Sequence, residues 1–281
     1  MPVAKRLFLA AWLLIALSGC ALAPVEMPVR VALVAPFEGR YREIGYNALY
    51  ATRMAVQDSA ESSIELLAVD DGGSWTSAVA RAGALALDPQ TRIAVALGYA
   101  ATLEETQRAF GDLPVIVVGH WNTQPALPNV FVLASSELDA VLTVSPGLSV
   151  TDAAGLPAPL IGGDVFALAQ FPRLRADLEG VMVASSATLP DRDFAARYRA
   201  SDVFAPPPGL LTSLVYDAAR MAVQVVVEPD RAAVARALAN IRYSGLNGPI
   251  RFENGWWADA PIHRYRYNDG GELTPVDGVV E

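Results

Sequence analysis

The chain has 281 residues, a formal net charge of −9 and 53% hydrophobic content, which supports a packed core and excludes wholesale disorder. Lys5 is the only lysine and no basic patch occurs, which excludes nucleic acid as a partner. Two histidines and a single cysteine leave no zinc-type cluster and no internal disulfide, so no metal or other cofactor is expected.

In chain order, Lys5 and Arg6 precede an unbroken apolar run over 7–17. A spanning helix needs about 20 apolar residues, so this run is too short to cross a bilayer and fits the apolar part of a signal peptide. Leu17-Ser18-Gly19-Cys20 resembles a bacterial lipobox. Residues 1–19 are therefore expected to be a lipoprotein signal, 20–26 a tether, and Cys20 the lipidated residue. Acyl chains contribute about 0.8 kcal/mol per buried methylene, and several together make a stable anchor in the lipid bilayer. The expected location is extracytoplasmic, tethered to the cell membrane.

The β-branched run over 29–36 reads as a buried strand ended by a proline. Helical spacing over 42–60 follows, then a strand over 64–69 and the turn Asp70-Asp71-Gly72-Gly73. Ser74 is an N-cap candidate for a helix to about residue 87. Strands are expected over 93–97, 115–118 and 130–133, with a helix over 102–110 between the first two. Such alternation implies a parallel sheet wrapped by helices, with strand ends at Pro36, Val69, Leu97 and Val118 on one edge. Later, strands are expected at 140–144, 160–161, 181–187, 249–252 and 262–267, and helices at 191–200, 210–226 and 231–240.

Several stretches together resemble the type I periplasmic solute-binding proteins, the branched-chain amino-acid-binding family of ABC transporters. The opening strand with Gly39 and Gly45 matches the family's first βα unit, and Asp70-Asp71 with the Ala-rich helix after it matches the second. Gly98 to Thr102 matches the glycine and hydroxyl residues after the third strand. Thr123-Gln124-Pro125-Ala126-Leu127 matches a further segment. Leu160-Ile161-Gly162-Gly163-Asp164, Tyr216-Asp217-Ala218 and the closing stretch from Gly248 to Gly270 complete the series. The resemblance implies an α/β fold of two lobes, each with a mainly parallel sheet flanked by helices. Lobe 1 would hold 27–133 plus 189–258, and lobe 2 would hold 134–188 plus 259–281. Roughly eighty residues of the family pattern are missing from lobe 2, and a lobe that small buries little surface of its own.

The resemblance also implies a function without chemistry. A small-molecule ligand, an amino acid or similar amphiphile, would bind between the lobes, and the closed form would be offered to an ABC permease. Thr102 and the segment from Trp121 to Thr123 would hold a ligand carboxylate. Asp164 would pair with its ammonium group, and Tyr99 and Tyr41 would line the wall. The residues admit other readings. Thr102 with Glu105 has capping-box spacing. Trp121 stands where the family has a small residue; it would shrink the cleft, offer a stacking face or plug space left by the missing units. Asp164 also suits a turn or helix cap. His120 reads as an ordinary loop histidine, and Trp256-Trp257 as a lobe–lobe contact or an exposed patch. No G-x-S-x-G elbow, phosphate-binding loop or G-x-G-x-x-G after a strand is present, so an enzyme is not expected. The alternative is a non-transport module of the same fold, or a degenerate binder. A preformed pocket favours the carrier, and a filled cleft favours the alternative.

Overall fold

A computed structural model describes residues 28–59, 63–144, 148–175 and 177–276. Cys20 and the segment around it lie outside the described residues. The strands are β1 (Val29–Ala35), β2 (Ile64–Asp70), β3 (Thr91–Ala96), β4 (Val115–Val118), β5 (Val130–Leu133), β6 (Leu160–Gly162), β7 (Val181–Ser185), β8 (Tyr243–Gly245), β9 (Gly248–Ile250), β10 (Phe252–Glu253), β11 (Trp256–Trp257), β12 (His263–Tyr267) and β13 (Leu273–Pro275).

Seven strands form the larger sheet, in the order β10-β11-β5-β4-β3-β1-β2. Its first five strands are parallel. The residues of β4 and β5, and most of β1 and β3, are fully buried, as expected of strands covered on both faces. Helices Arg42–Gln57 and Thr212–Val225 pack together, and helix Trp75–Leu87 packs with Glu104–Ala109. Ser74 caps Trp75–Leu87 by accepting from the Ser77 amide at 3.3 Å. Parallel order places the ends of β1 to β4 on one edge, where ligands of open α/β sheets bind.

The second sheet has four strands, β13-β12-β7-β6. Only β6 and β7 run parallel; β12 is antiparallel to both β7 and β13. The sheet is mixed because it contains a single crossover pair, and the closing hairpin supplies the rest. The stretch 140–144, expected as a strand, instead ends the turn Leu138–Val141. The Thr143 and Val144 amides still reach the Ile161 carbonyl, but a three-residue β6 is too short to extend the ladder.

Trp256-Trp257 is neither a lobe–lobe contact nor an exposed patch. It forms β11 of the larger sheet, between the edge strand β10 and β5, where Trp256 pairs with Val132. Trp257 is buried, and its indole donates to the Pro249 carbonyl at 3.0 Å. Where the chain passes between sheets, its crossings are tied to each other. The Ser135 amide donates to Ser186 Oγ, the Thr188 amide and hydroxyl donate to Asn247 Oδ1, and the Tyr265 hydroxyl donates to the Ala187 carbonyl.

Candidate functional site

The expected site residues all come to the strand-end edge of the larger sheet, but they contact one another there. Glycine carries the turn after β3: Gly98 has φ +94°. The following helix is not continuous. A single turn, Tyr99–Thr102, is separated from Glu104–Ala109 by Leu103 in extended conformation. Thr102 therefore ends a turn rather than capping a helix, and the capping box with Glu105 does not form. The Thr102 hydroxyl, fully buried, donates to the Gly98 carbonyl at 2.9 Å.

Gln107, which the sequence did not single out, organises the rest. Its Nε2 lies within hydrogen-bond distance of the Thr102 carbonyl, Thr123 Oγ1 and the Gln124 carbonyl. Its Oε1 accepts from the Ala126 amide. The Thr123 hydroxyl donates to the Thr102 carbonyl at 2.6 Å. Both threonine hydroxyls are thus engaged inside the larger lobe.

Three of the named aromatics form a ladder. Tyr41 meets Tyr99 edge-on at 5.7 Å, and Tyr99 meets Trp121 at 5.4 Å. Trp121 is 1% exposed, and its indole donates to the Val118 carbonyl at 2.6 Å. It fills space at the end of β4 and presents no open stacking face. Burial raises the Tyr99 phenol well above its ordinary value, and Tyr41 and Asp164 add to the shift.

Asp164 reaches this region from the other lobe. It opens the short 3-10 turn Asp164–Ala167 after β6 and is 3% exposed. One oxygen accepts from the His120 amide at 2.7 Å, across the lobes, and the other accepts from the Ser185 hydroxyl. Burial raises its pKa, against the opposing pull of Ser185 and His120. His120 is no ordinary loop residue: it is buried, and its Nε2 lies 3.2 Å from Asp139 on the opposite lobe. Asp70 and Asp71 sit at the same edge, Asp70 as the last residue of β2 and Asp71 just before the turn at Gly72-Gly73. Asp70 accepts from the Phe37 amide and the buried Asp71 accepts from the Gly73 amide.

The lobes are in close contact. Glu43 accepts from the Ala169 amide at 3.0 Å, and Gln170 donates to the Arg40 carbonyl at 2.7 Å. Among the described residues, two cavities lined by Asp164 lie between the lobes. One, beside Glu43, Asn47, Leu168 and Leu211, has about 20 Å³. The other, beside Tyr99, His120 and Phe166, has about 10 Å³. A water needs roughly 10–15 Å³ by this measure, so each holds about one water and neither holds an amino acid.

Three buried carboxyls, Asp71, Asp164 and Asp217, and the half-buried Glu43 are held above their ordinary values, each mainly by loss of solvent. A raised native pKa means that the folded chain binds more protons than the unfolded chain between the two values. Stability therefore falls as pH rises through that window, which begins at 3.8 for aspartate and 4.5 for glutamate. These four groups should raise the melting temperature as pH is lowered toward about 4.5, while His263, which burial holds below 6.5, opposes them at higher pH. A His263→Gln chain removes the opposing group, and a steady fall in its melting temperature as pH is lowered from about 7 to about 4.5 would contradict these assignments.

No protein-family model matches the chain, and no curated protein matches it by sequence. Solved structures do. The branched-chain amino acid transporter substrate-binding protein LivJ from Streptococcus pneumoniae, in complex with isoleucine, superposes with a TM-score of 0.67 at 13% identity, covering 89% of this chain and 100% of that one. The leucine-binding protein LivK from Thermotoga maritima gives 0.68 at 12% identity, covering 88% and 97%. A solute-binding protein from R. palustris, in complex with benzoate, gives 0.64 at 15% identity, covering 89% and 95%. These neighbours are solute-binding proteins, and at such identities the likeness establishes architecture. The chain has the type I periplasmic-binding-protein fold, with a second lobe reduced to a four-stranded sheet.

Proposed function

We propose that this protein is an extracytoplasmic module of the type I binding fold that works in its closed form, by contact with other envelope proteins, and not as a shuttle that closes on a solute. One observation carries the reading: the polar groups expected to hold a ligand are bonded within the chain, around cavities of about 20 and 10 Å³. Thr102 and Thr123 are engaged with the backbone and with Gln107. Asp164 is engaged with His120 and Ser185, and Trp121 occupies the space beside Tyr99. An exposed apolar pair supports action through the surface. Val203 and Phe204 are 88% and 78% exposed on a turn whose Phe204 amide is held by Asp202. In this reading Cys20 is the lipid anchor and no chemical step occurs.

The named neighbours favour a second reading. LivJ was solved with isoleucine and the R. palustris protein with benzoate. As a solute carrier, the chain would open at its three crossings. Thr102 and the Trp121–Thr123 segment would receive a carboxylate and Asp164 an ammonium group, between walls formed by Tyr41 and Tyr99. The reclosed form would then meet an ABC permease. Titration calorimetry with a panel of amino acids, amides and aromatic acids separates the two. The closed-module reading expects no saturable heat from any member. Saturable binding of a panel member that Asp164→Asn weakens about tenfold or more, the loss of one hydrogen bond to a charged group, would establish the carrier.

A further inference from the structure

We infer that Asp164 is a built-in ligand of its own cleft. Its carboxylate occupies a carboxylate-binding point made by the His120 amide on the opposite lobe and the Ser185 hydroxyl on its own, which orients it, and its bond to His120 thereby holds the lobes shut without a solute. The inference deepens the closed-module reading and rests on it.

The geometry is that of a small receptor. One N–H and one O–H converge on the two oxygens of a single buried carboxylate. The Ser185 oxygen also accepts from the Ala187 amide at 3.0 Å, which leaves its one proton free to point at Asp164. Gly119 clears the approach: a Cβ there would stand 2.9 Å from Asp164 Oδ2 and 3.2 Å from Leu211. His120 reinforces the contact, because its ring meets Asp139 on the same side as Asp164. The point suits a carboxyl-sized group by geometry, since its two donors are directed at the two oxygens of one planar group. A solute carboxylate seeking the His120 amide has to displace Asp164 first.

Emptying the point and refilling it tests this. Asp164→Gly removes the carboxylate back to the backbone and leaves a hole of formate or acetate size. Asp164→Asn keeps the shape, with one amide oxygen for His120 and an amide NH₂ facing the Ser185 oxygen. Thermal melts and solution scattering would be run on the full chain in sodium formate, sodium acetate and sodium chloride at equal ionic strength. The expected result is a closed wild type and a closed Asp164→Asn, neither responding to formate. Asp164→Gly should melt lower by roughly 5–10 °C and have a larger radius of gyration, with formate or acetate reversing most of both changes and chloride neither. Should Asp164→Gly fail to fold, Gly119→Ala and Ser185→Ala carry the test, and each should widen the molecule. An Asp164→Gly chain as compact and stable as wild type overturns the inference, as does an opened one that ignores both carboxylates. So does a compact Gly119→Ala together with a compact Ser185→Ala. In all of these cases a closed wild type leaves the closed-module reading standing. A wild type that is open in solution removes that reading and this inference together.

Discussion

Asp217→Ala should lower the folding free energy by about 3–5 kcal/mol. Asp217 is fully buried on helix Thr212–Val225. Its carboxylate accepts from the Leu246 amide at 3.0 Å, the Asn247 amide at 2.9 Å, Asn247 Nδ2 at 2.8 Å and the Tyr243 hydroxyl at 3.3 Å. The donors belong to the β8–β9 hairpin and its turn, and a buried donor without an acceptor costs about 1–3 kcal/mol. The loss spreads, because Asn247 Oδ1 in turn holds Thr188 at a crossing between the lobes. Asp217→Asn keeps the volume and one carbonyl acceptor, so it should cost about half as much. Urea unfolding of both variants checks this; an Asp217→Ala midpoint equal to that of wild type would show that the hairpin is pinned by other contacts.

Gly45→Ala should be comparably severe, at about 4 kcal/mol or more, for a steric reason. Gly45 lies in the first turn of helix Arg42–Gln57, over the end of β1. A Cβ there would stand 1.9 Å from the Pro36 carbonyl oxygen and 3.2 Å from the Phe37 ring. A backbone carbonyl cannot rotate aside as a side chain does, so the helix has to lift off the sheet. That helix also carries Glu43 and Asn47 to the contact with the second lobe, so closure should loosen along with stability. Gly83→Ala is the control. It sits in helix Trp75–Leu87 with no atom within 4 Å of its Cβ position, and should stabilise by about 0.5–1 kcal/mol through helix propensity alone. Thermal unfolding of the pair should move in opposite directions, and equal shifts would contradict the steric account.

Much of the larger lobe was legible because its determinants are local. The continuous apolar runs at 115–118 and 130–133 are the observed β4 and β5. Such runs occur where both faces of a parallel strand are covered. Ser74 caps its helix through a side chain three residues from its partner. The misses are non-local. The break at Leu103 has neither glycine nor proline to announce it; Gln107, drawn to the Thr102 carbonyl and to Thr123, accompanies it from within the fold. The apolar run at 140–144 has strand composition, but the short β6 beside it offers too little edge. Trp256-Trp257 joins a strand more than a hundred residues away in sequence, which no local pattern encodes.

The candidate site divides the same way. Residue types and order were enough to bring Tyr41, Tyr99, Thr102, Trp121, Thr123 and Asp164 to one sheet edge. Which group satisfies which depends on the approach of the two lobes. A carboxylate after a strand and two glycines looks available for a ligand, and only the position of the His120 amide makes it a partner within the chain. Likewise, His120 gains its role from Asp139 and Asp164, neither of which is near it in sequence.

The central claim is that the lobes are closed with no solute between them. Small-angle X-ray scattering of the ligand-free full chain tests it most directly. The account predicts a profile that fits the single closed structure and does not change when amino acids, amides or aromatic acids are added. A ligand-free profile that requires separated lobes, and contracts to the closed one when a solute is added, would contradict it.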